Sequence, residues 1–256
     1  MSTSGWEQMT DWWDEKLGDE GDLWHRALID PPLLLLVGEV KRMRMLDLAC
    51  GNGYLSRRFA RQGASVTGVD ANAPLIERDR AREAREPLGI TYYMSDAASL
   101  DMLEDGAFDL AICNMALMDI ENAAGAIQEV ARVLRPGGRF IASLSHPCFD
   151  KANTSGWSIE RIYPTTTIWR KMSRYREIAT GEVPWTVRGQ VINTHAYHRP
   201  LSWYFRTFRN SGMVVAALEE PEPTEELMAS SSESSAWLAE IPLHCVIEAW
   251  KMKNQF

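Results

Sequence analysis

The fold of this chain is decided by one stretch, Met45–Gly53, whose sequence is MLDLACGNG. Its first five residues form a short apolar run that favours a buried strand, and residues 54–61 have the pattern of a helix. Glycine between a strand and a helix permits a tight turn and a close approach of the main chain to a ligand. The stretch therefore predicts the first strand–turn–helix unit of an α/β domain, with a ligand at the turn.

Strand and helix patterns alternate on the carboxyl side of this unit. Strands are favoured at 65–69, 90–94, 108–113 and 139–143, and helices at 74–85 and within 117–134. This alternation predicts a parallel, doubly wound sheet. Because right-handed crossovers bring the carboxyl ends of such strands to one edge, a ligand should bind there. The residues at those strand ends are Asp47–Gly53, Asp70, Asp96–Ala97, Asn114 and His146.

The chain divides into four predicted segments. They are an N-terminal helical lid at 1–43, the α/β core at 44–146, a cap inserted after the fifth strand at 147–199, and a C-terminal part at 200–256 that completes the sheet. All ten tryptophans lie outside residues 25–156. The lid, the cap and the C-terminal part therefore carry the large indole rings.

Secondary structure outside the core is less regular. In the lid we predict a helix over 6–17 and a second helix after Pro31–Pro32, because proline is tolerated in a first helical turn. The cap has a β-rich stretch at 162–169 and predicted turns at Gly181 and Gly189. The predictions for the C-terminal part are a helix at 200–210, strands at 213–218 and 243–251, and an acidic surface loop with one helix at 219–235.

The composition is acidic, with 27 basic against 35 acidic residues and a formal net charge of −8. A nucleic-acid partner normally needs a basic surface, so we expect none. The four cysteines are widely spaced and form no CxxC pair, which favours a reduced, cytoplasmic chain. The longest apolar run, Leu33–Val37, is far shorter than the ~20 residues of a membrane span, so we expect no contact with a membrane, and no signal peptide.

Asp70 ends the second predicted strand, 17 residues after Gly53. A carboxylate at that position can accept hydrogen bonds from both hydroxyls of a ribose. The dinucleotide fingerprint requires a third glycine where Ser56 stands, and the sequence has no GxxxxGK[ST] phosphate loop. The residues therefore favour a nucleoside ligand without a pyrophosphate, and the alternative is an ordinary glycine turn beside a surface aspartate.

Five motifs follow one another in a characteristic order. They are Leu46–Leu55 (LDLACGNGYL), Val66–Asp70 (VTGVD), Asp96–Ala97, Phe108–Met115 (FDLAICNM) and Leu134–Phe140 (LRPGGRF). Their order and spacing resemble the class I S-adenosylmethionine (SAM) methyltransferases, in the small-molecule "type 11" branch. The resemblance covers residues 44–146, and the later segment Tyr197–Ser202 (YHRPLS) is also similar to that branch.

The resemblance implies a Rossmann-like sheet with strand order 3-2-1-4-5-7-6, in which strand 7 is antiparallel, and SAM as the cofactor. The resemblance places Asp47, Ala49, Gly51 and Gly53 around the methionine and ribose of SAM, and Asp70 at the ribose hydroxyls. It places Ala71 and Asn72 near the adenine, Asp96 at the adenine amino group and Ala97 at the side of the ring. Asn114 and Met115 would lie beside the methionine end. The first motif often has glycine where Ala49 stands. For Met115, core packing is the alternative.

Methyl transfer needs a nucleophile aligned with the methyl group, and a base where an O, N or acidic C–H acceptor must lose a proton. His146 follows the fifth strand, and an imidazole with an ordinary pKa of about 6.5 suits a general base. A structural turn at His146 is the alternative. His195, Tyr197 and His198 are further catalytic candidates, unless they only anchor the helix that follows. No other ligand set accompanies the two histidines of this cluster, so we predict no metal.

The lid and the cap are predicted to bind the methyl acceptor. Large aromatic faces suit flat or cationic organic molecules and exclude water, which makes Trp13, Trp157 and Trp185 candidates. Ordinary packing is the alternative for each of them. The cap is locally basic, so Arg174 or Arg176 would bind an anionic acceptor, unless these residues only complement an acidic C-terminal surface.

The leading hypothesis is methylation of a small organic metabolite at O, N or C, by a monomer or homodimer, mainly through proximity and alignment. RNA or DNA methylation is an alternative, although Asn114–Leu117 (NMAL) stands where base amino-methylases have Asn-Pro-Pro-Tyr. A SAM-binding regulatory protein without turnover is a second alternative. An NAD-dependent oxidoreductase is a third, weakened by Ser56.

Overall fold

The computed structural model describes residues 5–162, 164–230 and 233–253. Its strands are β1 Arg44–Leu48, β2 Ser65–Asp70, β3 Thr91–Met94, β4 Phe108–Asn114, β5 Leu134–Ser145, β6 Ser155–Ile162, β7 Thr165–Met172, β8 Ala179–Val187, β9 Gln190–His198, β10 Met213–Glu219 and β11 His244–Lys251. Its α-helices are α1 Gly5–Gln8, α2 Thr10–Leu17, α3 Asp30–Val37, α4 Tyr54–Arg61, α5 Ala73–Arg85, α6 Ala123–Val133, α7 Leu201–Asn210, α8 Glu225–Ser230 and α9 Glu233–Glu240. A π-helical segment, His25–Ile29, leads directly into α3.

The central sheet has seven strands in the order β10-β11-β5-β4-β1-β2-β3. Strands β3, β2, β1, β4 and β5 are parallel, and β11 is antiparallel to both β5 and β10. Counted along the chain, the strands of this sheet alone have the order 3-2-1-4-5-7-6 with an antiparallel seventh strand. The predicted doubly wound, Rossmann-like α/β fold is therefore confirmed, and the carboxyl ends of β1, β2 and β4 meet at one edge.

Helix starts follow local capping chemistry. Asn72 Oδ1 accepts a hydrogen bond from the N–H of Leu75 at 3.2 Å at the start of α5, and Asn122 Oδ1 accepts one from Gly125 at 3.1 Å at the start of α6. In α3, Pro31–Pro32 lies within the first turn, where a missing N–H costs no helical hydrogen bond. The helix therefore contains the two prolines, whereas the sequence placed its start after them.

Helices cover both faces of the sheet. On one face, Ile127 and Val130 of α6 pack in a buried cluster with Leu46 of β1. On the other face, Val37 of α3 packs in a second cluster with Met45 of β1. Since neighbouring residues of β1 point to opposite faces, both sides of the strand are buried, as expected in a parallel sheet.

The cap consists of two hairpins outside the central sheet, β6–β7 and β8–β9. The β-rich stretch 162–169 covers the end of β6 and much of β7. Gly189 lies at the turn of the second hairpin with a φ of +83°, as predicted. The turn predicted at Gly181 is wrong, because this residue lies inside β8 opposite Ala196. A Cβ there would lie 2.5 Å from the Cβ of Ala152, so this glycine permits close packing.

The lid is fixed to the core by polar side chains of α2. Asp14 accepts hydrogen bonds from Arg82 at 2.6 and 2.7 Å and from Arg78 at 3.2 Å. Asn52, in the middle of the glycine-rich turn, donates to Asp14 at 3.3 Å and to the carbonyl of Gly18 at 2.7 Å. These bonds hold α2 directly against the turn.

The acidic region between β10 and β11 holds two short helices, α8 and α9, where the sequence predicted one. Leu227 and Leu238 of these helices pack against Ala27 and Leu28 of the lid. Their burial explains why the region is structured despite its polar composition. Within the described ranges, no helix is long and apolar enough to cross a membrane.

Candidate active site

The glycine-rich turn uses left-handed backbone conformations at Ala49, Gly51 and Gly53, with φ values of +55°, +58° and +69°. Alanine adopts this conformation less readily than glycine, which explains why the first motif often has glycine at position 49. A Cβ at Gly53 would lie 2.7 Å from Tyr92 Oη, so a side chain does not fit there. At Gly51 the corresponding position is open, and its nearest neighbour is Trp13 Nε1 at 3.9 Å. The main chain of Gly51 is therefore accessible to a ligand beside Trp13.

Two carboxylates flank this turn. Asp70 accepts hydrogen bonds from the main-chain N–H groups of Gly51 and Asn72, both at 2.8 Å. Asp47 accepts one from Ser56 Oγ at 2.6 Å, so the residue that replaces the third fingerprint glycine orients this carboxylate. Burial, with a smaller contribution from the charge of Asp70, raises the pKa of Asp47 to about 7. Within the described chain no cation pairs with Asp47, and a ligand with an ammonium group would supply one.

The positions after Asp70 are held by the start of α5 and by the lid. Asn72 is buried, and its side-chain amide donates to the carbonyl of Trp6 at 3.2 Å and to Thr10 Oγ1 at 3.1 Å. Ala71 is exposed beside it. The adenine side predicted from sequence therefore lies where the lid meets the sheet edge.

The end of β3 lies close to the end of β2. The N–H of Ser95 donates to the carbonyl of Asp70 at 3.0 Å. Asp96 is exposed and accepts a hydrogen bond from the N–H of Ala98 at 2.8 Å, while Ala97 is buried. The predicted adenine positions on β2 and β3 are thus brought to one place.

Asn114 belongs to a buried hydrogen-bond network that the sequence did not reveal. Its side-chain amide donates to Tyr54 Oη at 2.8 Å and to Asp30 Oδ1 at 3.3 Å, and Tyr54 Oη donates to Asp30 at 3.0 Å. Burial raises the pKa of Asp30, whose second carboxylate oxygen has no partner in the described chain. Met115 has a φ of +51°, and its N–H donates to the carbonyl of Ser143 at 3.1 Å. The network rigidly positions the methionine end of the predicted cofactor site.

A cavity of about 580 Å³ lies between this edge of the sheet, the lid and the second hairpin of the cap. Met115 lines it from the sheet, and Tyr204 lines it from α7. Of the predicted acceptor residues, Trp13 lines it from the lid and Trp185 from β8. Because a Cβ placed at Gly51 would lie 3.9 Å from Trp13 Nε1, the cavity adjoins the glycine-rich turn.

Three predicted acceptor residues lie elsewhere. Trp157 packs against Trp237, with ring centres 5.4 Å apart, and the Arg170 guanidinium lies 5.1 Å from its ring centre. Arg174 is exposed with a φ of +52°, and Arg176 is exposed as well. The structure does not bring these residues to the cavity, so neither Arg174 nor Arg176 supplies an anion site there.

A cluster that we call the tryptophan box is formed by Trp6, Trp12, Trp13 and Trp185, of which Trp6, Trp13 and Trp185 line the cavity. Its contacting ring centres lie between 5.1 and 6.2 Å apart. The ammonium of Lys16 lies 4.9 Å from the ring centre of Trp12 and 5.6 Å from that of Trp185. It also pairs with Asp22 at 3.2 Å. The box therefore joins the lid to the cap.

His146 does not line the cavity. Its side chain is buried, with Nε2 at 2.9 Å from Glu220 Oε1 and with Nδ1 accepting a hydrogen bond from the N–H of Cys148 at 3.1 Å. Burial lowers the pKa of the imidazole. With both ring nitrogens engaged, the geometry favours the structural turn over the general base.

The other three catalytic candidates lie on β9. Tyr197 and His198 line the cavity, and His198 Nε2 lies 2.8 Å from the carbonyl of Tyr175. His195 is exposed opposite Glu182 and does not line the cavity. Over the described part of the chain, no cluster of three or more His, Cys, Asp or Glu side chains is arranged to hold a metal ion.

Asp119 is a site residue that the sequence analysis missed. This residue lines the cavity beside Met118, and no hydrogen bond from the described residues contributes to the pKa of its carboxyl. Burial raises its pKa to about 8. Asp119 comes four residues after Met115, one of the predicted cofactor residues. The polar residues 121–122 follow it closely, so the local sequence is typical of an exposed surface segment. Its position in the cavity is set by the surrounding elements, which no local pattern reveals.

Comparison with known proteins gives one family. A family model for the methyltransferase domain matches residues 46–142. An S-adenosylmethionine dependent methyltransferase from Mesorhizobium loti has 30% identity, and the match covers 86% of this chain and 96% of that one with a TM-score of 0.70.

Curated relatives match over a shorter range. A ubiquinone biosynthesis O-methyltransferase of Xanthomonas oryzae pv. oryzae is 31% identical over 127 residues, which cover 48% of this chain and 53% of the relative. An uncharacterised protein of Mycobacterium tuberculosis is 34% identical over 122 residues, covering 48% and 44%. The chain thus matches about half the length of these curated relatives.

Proposed function

Since this chain belongs to the class I SAM-dependent methyltransferases, in their type 11 branch, we propose that it transfers a methyl group to a small organic acceptor. The observation that carries the proposal is the cavity of about 580 Å³, which adjoins the glycine-rich turn at Trp13 and has Met115 in its wall. SAM is the family's cofactor, and when bound it supplies an electrophilic methyl group on a sulfonium.

The residues at the sheet edge fit this cofactor. Asp70 is fixed by two main-chain N–H groups, which leaves its outer lone pairs for ribose hydroxyls. Asp47 is buried without a cation, and the ammonium of the methionine part would be that cation. Gly51 presents its main chain without a side chain in the way. We assign Ala71, Asn72, Asp96 and Ala97 to the adenine side, as the sequence predicts.

Proximity and exclusion of water are the main contributions that the chain would make. The tryptophan box and Met115 enclose the acceptor on several sides, so an acceptor of suitable size would be held in line with the donor. An enclosed apolar wall also strengthens any polar contact with the reacting atoms. Tyr197 and His198 are the predicted catalytic candidates that reach this cavity.

A small acceptor is supported by the cavity and by the charge of the chain. The cavity is lined by side chains of the lid, the sheet and the cap, and a duplex or folded RNA would require an open basic groove instead. The net charge of −8 also disfavours a polyanion. All four cysteines are free thiols, which supports the cytoplasmic location that we infer.

The test has two steps. Calorimetric titration with SAM should give binding in the micromolar range, and Asp70→Ala should weaken it by roughly a hundredfold because the ribose loses its charged acceptor. The protein is then incubated with methyl-labelled SAM and a small-molecule extract, and labelled products are separated. Binding without any labelled product would favour the non-catalytic regulatory protein, whereas no binding would refute the proposal.

A further inference from the structure

We propose that the methyl acceptor is an amine that enters the cavity as its ammonium, and that Asp119 binds the ammonium and takes its proton. This inference rests on the proposed methyl transfer and names the substrate class of the same site. Its basis is the balance of charge around the cavity wall.

The cations of the wall already have partners. Lys16 pairs with Asp22 at 3.2 Å within the tryptophan box. Lys151 donates to the carbonyl of Arg174 at 2.8 Å and pairs with Glu177 at 3.3 Å. Neither ammonium is therefore available to an anionic acceptor without breaking these contacts.

The guanidinium of Arg199 also has partners within the protein. Its guanidinium donates to the carbonyls of Ile120 and Glu121 at 2.8 and 2.6 Å, and it lies 5.3 Å from the ring centre of Tyr197 and 5.0 Å from that of Trp203. Stacked between two rings and bonded to the main chain, it stabilises the segment that carries Asp119.

Most carboxylates of the cavity wall have a hydrogen bond or an ion pair within the described chain. Asp22 is engaged by Lys16, and Asp150 by Arg170 at 2.7 Å. Glu182 is exposed and accepts a hydrogen bond from Asn193 at 3.0 Å. Among the described wall residues, Asp119 is the carboxylate without a hydrogen bond or ion pair. When Asp119 is ionised, the charge that these described residues leave unbalanced is thus negative.

The aromatic lining favours the same class of acceptor. Indole and phenol faces attract an ammonium through their quadrupole, and the contacts of Lys16 with Trp12 and Trp185 show this pairing within the protein itself. An anion in the cavity would face the rings that line it, such as Trp13 and Trp185, and the Asp119 carboxylate. An ammonium is therefore favoured by the ring faces and by the carboxylate that has no partner among the described wall residues.

The transfer step balances with the groups present. The ammonium proton moves to a carboxylate oxygen of Asp119, which leaves a neutral amine with a lone pair. A nitrogen–carbon bond then forms to the methyl group as the methyl carbon–sulfur bond breaks, and the electron pair of that bond stays on sulfur. The product is a methylated ammonium, and Asp119 releases its proton to solvent when the product leaves. The donor is the cofactor that the proposed function already requires.

A labelling experiment tests the substrate class. A small-molecule extract is separated at pH 7 on a cation-exchange resin, and the retained and unretained fractions are each incubated with protein and methyl-labelled SAM. We expect label in the retained, cationic fraction. Label found in the unretained fraction alone would overturn this inference and leave the proposed methyl transfer intact. SAM binding with no label in either fraction would instead count against the proposed function.

A binding experiment tests Asp119 without turnover. With S-adenosylhomocysteine present, benzylamine, benzyl alcohol and benzoate are titrated as simple probes by calorimetry. We expect the Kd of benzylamine to be at least tenfold lower than that of benzoate. Asp119→Asn should remove this preference, while Glu182→Gln, which loses a charge elsewhere on the wall, should keep it. Equal binding of the two ions, no binding of benzylamine, or an unchanged preference in Asp119→Asn would overturn the inference.

Discussion

The ammonium of Lys16 lies 5.6 Å from the ring centre of Trp185, and this contact connects helix α2 of the lid to strand β8 of the cap. Trp13, one turn before Lys16, contacts the position of Gly51 at the same time. The lid is thus fastened to the cap at one end of the cavity and covers the cofactor turn with the adjacent indole. Opening of this contact would expose the cofactor turn and the cavity together.

Breaking the Lys16–Trp185 contact should weaken SAM binding without unfolding the protein. A cation–π contact of this kind contributes about 0.5–2 kcal/mol. We therefore expect Lys16→Met and Trp185→Leu each to raise the Kd of SAM by roughly 2–30-fold, mainly through faster dissociation. Trp185 also donates to Thr194 Oγ1 at 2.9 Å, so its replacement changes the hairpin as well.

A double-mutant cycle separates these effects. The double variant should lose less than the sum of the two single variants, with a coupling of about 1 kcal/mol by calorimetry. Lys41→Met, which removes an exposed lysine far from the tryptophan box, serves as the control and should leave the Kd unchanged. Strict additivity of the two single changes would show that the contact does not hold the lid.

Gly53→Ala should be strongly destabilising. The backbone of Gly53 is left-handed, and a Cβ would lie 2.7 Å from Tyr92 Oη and 3.0 Å from Asp79 Oδ2, both buried. Gly212 also has a left-handed backbone, with a φ of +76°, but a Cβ there meets no atom within 4 Å. Urea denaturation should give a loss of about 1 kcal/mol for Gly212→Ala and about 3 kcal/mol or more for Gly53→Ala. Similar losses at both positions would mean that backbone strain alone accounts for the effect.

These glycines also show what a sequence can predict. The strand–turn–helix unit around Gly51 and Gly53 is visible locally, because apolar periodicity and glycine spacing act over a few neighbouring residues. The sheet order followed from the family resemblance, since local patterns do not specify which strands pair. Asp30 and Asp119 stayed hidden, because their importance depends on contacts across the fold, such as the bond of Asp30 with Asn114, 84 positions away.

The cap was the least predictable segment. Its first hairpin, β6–β7, exposes residues of both faces, so the strict alternation of apolar and polar residues that marks a half-buried strand is weak there. Gly181 was misinterpreted for a related reason. Glycine occurs both where a strand packs closely against a neighbour and where the chain turns, and the sequence alone does not distinguish the two roles.

Asp47→Asn should stabilise the ligand-free protein while it weakens SAM binding. The pKa of Asp47 is raised from 3.8 to about 7 by folding, so between these values the folded state binds more protons than the unfolded state. The contribution of Asp47 to the stability of the wild type should therefore fall as pH rises from about 4 to about 7, and stay at the lower level above that. At pH 8 the neutral asparagine should add on the order of 1–4 kcal/mol.

Thermal and urea unfolding at pH 5 and pH 8 measure this effect. The gain of Asp47→Asn should be large at pH 8 and small at pH 5, and the Kd of SAM should rise at least about tenfold because its ammonium loses a charged partner. Asp96→Asn, at an exposed carboxylate, is the control: it retains Asp47 and should match the wild type in stability at both pH values. A destabilised Asp47→Asn at pH 8 would contradict the assignment.

Turnover should rise with pH through the titration of Asp119. Since kcat/KM reports groups of the free enzyme, its rising limb should have a midpoint near the pKa of about 8 that burial gives this carboxyl. Three neighbouring groups titrate above this range. Burial raises the pKa of Cys113 and Tyr197 above their ordinary values and that of Tyr204 to about 12.

The pH dependence of kcat/KM also distinguishes Asp119 from His198 as the base. Burial lowers the pKa of His198 below 6.5, so a histidine base would complete its rise at more acidic pH. Rates measured from pH 5.5 to 9 with the cationic fraction as acceptor should therefore increase about tenfold per unit up to about pH 8. Asp119→Asn should lower kcat/KM by roughly 10²–10⁴-fold and abolish the limb, because the amide cannot accept the proton. A rising limb below pH 6.5 that persists in Asp119→Asn would assign the base to His198. Asp119 would then bind the ammonium electrostatically without taking its proton.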